Sequence, residues 1–483
     1  MKTPKFLPAL VVFFLAACGG GGGSGGGPII NPPPSNGIVR TGMSVGPISS
    51  FGSIVVNGIH YDTGGAVITV DGVTATQADL RVGQVVTVTG ELEDGKTSGT
   101  ATTVNFDDNV EGPIESIDDG TGVLVVLGQT IRVDGNTSFD DSIQPRSIEG
   151  LAVGDFVEVS GLVSADGSIN ATRIEQRAPG GTLEVKGIVS GLDTGGQSFE
   201  LNGLVVDYSA AQLDDFPAGG IADGQAVEAK GDSTGAGGEL VATRVEYKGA
   251  AIAGDEDDFA EIEGFITRFA SAADFDVSGV PVTTGSGTAF SGGTAADLGL
   301  NVKVEVEGLI DADGAIAARK VDIRLGTAVR LTALVDSVDA AGDSLVVLGI
   351  PVNVDALTRF EDQSDAKVEP LTLADLSAGD YVEIRGGERP AGSGEVLASI
   401  LERDDIDTRT ELQGFVTAVA APTITVLGVT IETDGATEFR DVDGSALSQA
   451  EFFSRVAAGE LVKARGAETS GTTILAEEVQ LEN

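Results

Sequence analysis

Apolar and polar residues alternate along this chain in short runs, and one run recurs as a word, Gly-x-x-Val-x-(Val/Ala/Ile)-x-Gly, at residues 83–90, 154–161, 224–231, 379–386 and 459–466. A sixth copy at 301–308 has Asn301 in place of the leading glycine. Alternation with a period of two marks a strand with one face buried. Each copy therefore predicts a strand bounded by glycine. The starting positions 83, 154, 224, 301, 379 and 459 lie 71, 70, 77, 78 and 80 residues apart, so one unit fills the chain from about residue 43 onward.

A second word precedes the first in every unit. It is an apolar run carrying a glycine: Val56-Asn57-Gly58, Val126-Leu127-Gly128, Leu201-Asn202-Gly203, Val277-Ser278-Gly279, Val347-Leu348-Gly349 and Val426-Leu427-Gly428. Each predicts a tight hairpin between two strands. Gly112, Gly187, Gly264 and Gly414 stand near the starts of first strands, with Gly46 and Ala333 at the matching places. Thr137-Ser138-Phe139, Thr288-Ala289-Phe290, Thr358-Arg359-Phe360 and Thr437-Glu438-Phe439 close a third strand and each offer one ring to a core of Val, Ile and Leu.

Segments such as Leu373-Ala374-Asp375-Leu376 and Ala450-Glu451-Phe452-Phe453 suit a helical turn or short helix before the fourth strand. Ala171-Thr172-Arg173-Ile174, Ala242-Thr243-Arg244-Val245 and Ala476-Glu477-Glu478-Val479 announce the last. Three strands, a short helix and two strands is the order of an OB-like barrel, and closure removes edges that would otherwise invite aggregation. The expected fold is mostly β: a tandem array of six small OB-like five-stranded barrels, each with a short helix. The repeats fall at 43–108, 109–178, 183–249, 260–325, 329–405 and 410–483.

These units resemble the bacterial family called domain of unknown function 5666, found in envelope lipoproteins. The likeness is carried best by Val125-Val126-Leu127-Gly128-Gln129-Thr130-Ile131-Arg132-Val133-Asp134 of the second unit and Gly379-Asp380-Tyr381-Val382-Glu383-Ile384 of the fifth. The first unit lacks the Thr-x-Phe word and the fourth the leading glycine. The resemblance implies a fold and an envelope location, and it carries over no site residue.

The N-terminus points the same way. Lys2 and Lys5 precede an apolar run over 6–17 that is too short to cross a bilayer and has the layout of a secretory leader. It ends Leu15-Ala16-Ala17-Cys18, which resembles the bacterial lipobox, so 1–17 is expected to be a lipoprotein signal peptide and Cys18 the lipidated residue. Gly19 after the cysteine implies sorting to the outer membrane by the same resemblance. Residues 18–42, rich in Gly and then Pro, form the tether to the first unit. Cys18 is the single cysteine, which excludes a disulfide within the chain.

Lys+Arg 29 against Asp+Glu 74 gives a net charge of −45, and removing Lys2 and Lys5 with the leader makes it −45 − 2 = −47. That surface repels phosphate backbones, and with Trp 0 and Tyr 4 it lacks stacking platforms, so nucleic acid is excluded as a partner. Envelope proteins or cations suit the charge better.

Candidate chemistry is sparse. Asp94-Gly95, Asp166-Gly167 and Asp313-Gly314 read as tight turns, although Asp311-x-Asp313-Gly314 faintly resembles the start of a calcium loop. Asp255-Glu256-Asp257-Asp258, and Asp404-Asp405 with Asp407, fall between units as solvated linkers. If a metal such as calcium binds, Asp255, Asp257 and Asp258 are its expected ligands. No further cofactor is expected. His60 is the only histidine and no Gly-x-Ser-x-Gly elbow is present, so no catalytic residue is nominated and the chain is not expected to be an enzyme. The sequence predicts a spacer, scaffold or interaction protein of the envelope, anchored to the membrane through Cys18. The alternative is a module binding an oligosaccharide, peptide or divalent cation on the barrel faces or acidic joints.

Overall fold

The two glycines of the recurring word perform different tasks, visible in a computed structural model. It describes residues 39–482 except 94–96, 120, 250, 251, 253, 325–327, 369, 391, 408 and 443. The leading glycine takes a left-handed conformation, with φ of 87° at Gly83, 94° at Gly154, 86° at Gly224 and 94° at Gly379 and Gly459. Asn301 stands in at φ 62°, and Asn is the side chain that best tolerates this region. From there each N–H donates to the first strand of its own unit, as in Gly154 N to the Ile114 carbonyl at 2.9 Å and Asn301 N to that of Ile266 at 2.9 Å. The closing glycine sits at a bulge where a side chain has no room. A Cβ on Gly90, Gly161, Gly231, Gly308, Gly386 or Gly466 would lie 2.1 to 2.4 Å from a carbonyl oxygen of the opposite strand.

The second word forms the expected hairpins. Both central residues are left-handed in each, for instance Asn57 at 52° with Gly58 at 77°, and Leu348 at 52° with Gly349 at 70°. Leucine is strained there, yet the Leu127, Leu348 and Leu427 side chains are buried. Gly112 explains one of them, because a Cβ at that position would meet Leu127 Cγ at 2.8 Å.

Each unit's strands pair in a closed circuit. Val329–Asp339 runs antiparallel to Ser344–Val347, which turns back as Ile350–Asn353. Ile350–Asn353 lies parallel to Val396–Asp404, and Tyr381–Glu388 fills the space between that strand and the first. The order first, second, third, fifth, fourth and back to first recurs in each of the other strand sets. Closure leaves one apolar interior per circuit with polar residues facing outward.

The Thr-x-Phe word fastens an extra strand beside the last one. Thr137, Thr288, Thr358 and Thr437 each donate from Oγ1, at 2.7 to 2.8 Å, to the carbonyl of Ala171, Ala318, Ala398 or Ala476 respectively. Where the word is missing, Val67–Val70 performs the same parallel pairing through plain backbone bonds, against Thr103 to Phe106.

Two expectations need correction. A short helix in every unit is not what forms: among the described residues there is one α-helix, Gln449–Arg455, while Gln77–Asp79, Ile148–Gly150, Ala295–Asp297 and Leu373–Asp375 are single 3-10 turns. Three-residue spans between strands close one hydrogen-bonded turn and lack the length to propagate a helix. The first strand, Val39–Ser50, also begins four residues inside the segment 18–42 expected to be tether. The leader and Cys18 lie outside the described residues.

Neighbouring circuits join through their first strands. Glu111 and Val110 pair with Glu184 and Val185, Arg330 to Thr332 pair with Gln413 to Glu411, and Gly42 to Val45 run parallel to Phe259 to Ile262. The last of these joins the first strand set to the fourth. Apolar interiors merge as well, into one core shared by 110–245 and another by 329–481.

Candidate functional site

The sequence candidates come first. Cys18, like Asp94-Gly95, lies outside the described residues. Asp255, Asp257 and Asp258 form a turn: the Asp255 N–H donates to the Asp258 carboxylate at 2.9 Å, and Asp257 is left-handed at φ 73°. Their oxygens are not among the converging carboxylate groups found in the described residues. Asp311 accepts from the N–H of Asp313 and of Ala315 at 2.9 and 3.0 Å, and Asp166 accepts from Ser168, so both behave as turn formers. Asp404 is tied across the molecule to Arg146 at 2.6 Å and is therefore no free linker. His60 is exposed, 3.3 Å from the Ser53 hydroxyl.

The charged residues that matter stand elsewhere, on the outward faces of the strands. In the recurring word the fifth position points out of its own circuit, and it holds Glu158, Glu228, Glu305 and Glu383 in four of the copies. The first three are buried and the fourth is half-buried. A buried carboxylate needs a partner or a proton, and three centres meet that need differently.

In the first centre the cations dominate. Arg359 is buried and donates to the carbonyls of Thr172, at 3.0 Å, and Asn136. Arg385 donates to the Thr137 carbonyl at 2.9 Å and pairs with Glu383 at 2.6 Å. Ser138 donates to Glu361 at 2.7 Å, and Arg173 pairs with Glu175 at 2.6 Å. Burial works against ionisation of Glu383, but Arg385 and Arg330 outweigh it and hold the carboxyl down to about 2. Glu402 lies 3.7 Å from Arg385, and burial pushes it up to about 7.

In the second centre burial favours the protonated carboxyl. Glu261 and Glu305 are buried side by side, with Lys320 3.7 Å from Glu305 and the Ser44 hydroxyl 3.4 Å from Glu261. Burial first, then the Glu305 charge, raises Glu261 well above the usual carboxylate range. Ser44 also meets Tyr61 Oη at 2.6 Å, and burial pushes that phenol upward.

The third centre is the most crowded with carboxylates. It lies where the first three strand sets meet. Asp108, in the short link between Ser98–Phe106 and Val110–Asp118, is fully buried, and neither of its carboxylate oxygens has a hydrogen-bond partner. Oxygens of Asp71, Asp108 and Glu158 lie within 4.8 Å of one another, as do those of Asp108, Glu111 and Glu184. Register accounts for the crowding: Glu111 is the direct cross-strand partner of Glu158 on one side and of Glu184 on the other. Like charges so placed repel. The cations nearby are engaged at the edges: Arg177 on Glu158, Lys230 on Glu184 at 2.6 Å, and Lys248 on Glu228 at 3.0 Å. Burial, with Glu228 beside it, pushes Glu184 up to about 9.

A cleft of about 1040 Å³ is lined by Arg324, Arg330, Arg385, Arg389, Lys463 and Arg465. Each of these cations is already in an ion pair, so the cleft offers no unclaimed anion site.

Comparison with known proteins adds one match. The family model described as Domain of unknown function (DUF5666) matches residues 111–175, 186–246, 263–322, 332–400 and 413–480. No curated protein matches the chain.

Proposed function

Because the chain belongs to the family described as Domain of unknown function (DUF5666), we propose that residues 39–106 are a sixth, divergent copy and that every copy is an OB-like five-stranded barrel. The strand order first, second, third, fifth, fourth supports the barrel reading, and the left-handed Gly83 and the crowded Gly90 support the sixth copy.

On that framework the protein is a non-catalytic, multi-domain scaffold or interaction protein of the cell envelope, held in the bacterial outer membrane by lipid on Cys18 once the leader 1–17 is removed. The observation that carries the reading is where the repeated residues are used. Glycines of the word make turns and bulges, threonines tie strands together, the outward glutamates are held by cations of their own unit, and arginines such as Arg359 and Arg385 reach the backbone of another. A repeat array whose units touch only sequence neighbours is an elongated spring. Here Gly42 pairs with Phe259, and Ser138 bonds to Glu361, which favours a rigid body.

Envelope fractionation tests the reading. The wild-type chain should sediment with the outer membrane and restore detergent resistance to a deletion strain, and Cys18→Ser should do neither. A Cys18→Ser protein that stays membrane-bound, or that rescues as well as wild type, would overturn it. The second reading, a binding module, is favoured by one observation, the carboxylates around Asp108.

A further inference from the structure

We propose that Asp108 is the central ligand of a divalent-cation site of the calcium type, completed by carboxylates from the first three barrels. Two independent observations support it. One is the convergence: Asp71 from the first barrel, Glu111 and Glu158 from the second and Glu184 from the third all bring an oxygen towards Asp108. The other is the state of Asp108 itself, wholly buried with both oxygens unpartnered, and Glu184 Oε1 is buried and unpartnered as well.

A proton on Asp108 would cancel its charge but leave its other oxygen without a donor. A cation serves both oxygens at once. The donor set consists of carboxylate oxygens alone, which selects a hard cation over zinc or copper. The two carboxylate triads that share Asp108 each offer a cation three ligands, and water completes the six to eight oxygens that calcium takes, whereas magnesium demands a stricter octahedron. Asp71 and Glu111 are each partly exposed, which gives the ion a route in from solvent. The cross-strand row Glu158, Glu111, Glu184 is otherwise a run of like charge across three adjacent strands, and an ion over it turns repulsion into attraction.

The site differs from the turn at Asp255, Asp257 and Asp258, and it does not depend on membrane anchoring. Its role is to lock three barrels about the link that carries Asp108. The rest of that link is already fixed, since Asn109 accepts from the Gly161 N–H at 2.7 Å.

Calcium chloride titrated calorimetrically into the chelator-treated full-length chain should reveal one site tighter than any background binding, with a melting temperature that climbs with calcium concentration. Asp108→Asn should weaken that site at least tenfold and abolish the calcium-dependent rise. It should also fold, because it removes a buried charge; should it fail to fold, Glu111→Gln provides the same reading from a partly exposed position. The triple variant Asp255→Asn, Asp257→Asn, Asp258→Asn should bind like wild type. The proposal is overturned by an absent heat and an unmoved melting temperature at millimolar calcium. Unchanged affinity in Asp108→Asn, or loss of binding in the triple variant alone, would overturn it equally.

Discussion

Ser138 and Glu361 stand 223 residues apart in the chain and 2.7 Å apart in space, hydroxyl to carboxylate. Both belong to strands that their own strand sets lay along the outside, Ser138–Phe139 and Arg359–Asp362. The outer surfaces of these two sets thus meet at this bond.

Arg359 is the anchor of that contact, so Arg359→Ala should be among the most damaging substitutions. It removes the donor that reaches the Thr172 and Asn136 carbonyls and one of the cations beside Glu361. Breaking one side of a buried charged contact costs about 3–5 kcal/mol. Urea unfolding should show that loss, and a cost below about 1 kcal/mol would mean that the barrels do not depend on each other here.

Gly466→Ala tests the bulge. Its Cβ would stand 2.1 Å from the Leu475 carbonyl oxygen, so one of the two strands has to shift, at about 1–3 kcal/mol or more. Gly471→Ala, which meets nothing within 4 Å, is the control and should fall within about 0.5 kcal/mol of wild type. Equal melting temperatures for the two variants would remove the steric explanation of the repeated glycine.

A fragment spanning 329–483 should fold with a cooperative transition, because its two strand sets share one core. Residues 329–405 alone should melt lower, having lost the pairing of Arg330 to Thr332 and the cover that Leu412 gives Leu331. Identical transitions for the two would show that the junction contributes nothing.

Stability should depend on pH in an unusual direction. Folded, Glu402 is lifted by burial to about 7 and Glu261 is raised well above the usual carboxylate range by burial and Glu305, against about 4.5 when unfolded. Between those limits the folded chain binds more protons, so stability is lost as pH rises from about 4.5 through 7. Glu383, held down to about 2 despite its burial, acts the other way: its contribution is present above 4.5 and lost as pH falls towards 2. Melting temperatures taken in chelator should therefore decline from pH 5 to 8, and Glu402→Gln should flatten the decline. A wild-type rise over that range would contradict the assignment.

The elements within each barrel were legible because their signals are local. A left-handed turn needs Asn-Gly or its equivalent, and a bulge needs a residue with no Cβ, so Asn57-Gly58 and Gly90 announce themselves without reference to the rest of the chain. The helices were overread, because Leu373-Ala374-Asp375-Leu376 satisfies a helical pattern and a single 3-10 turn equally well over so short a span. The carboxylate centres went unseen for a different reason. Glu158, Glu228, Glu305 and Glu383 recur at one position of the word, but alternation marks that position as outward, and what covers an outward face is set by contacts hundreds of residues away. The recurrence of a single charged residue type there was the available signal. Asp255, Asp257 and Asp258 were conspicuous as a run, yet neighbours in sequence serve a turn more readily than a shared ion.

The contacts between strand sets also fix their order. Sets built on one framework could in principle trade places, but Arg359 must reach the carbonyls of Thr172 and Asn136 from the middle of its Thr-x-Phe word. The matching residue is Ser138 in the second set, Ala289 in the fourth and Glu438 in the sixth, and none of these could span both carbonyls. One framework thus carries a different address in each set, written at a single variable position and read by the neighbour it faces.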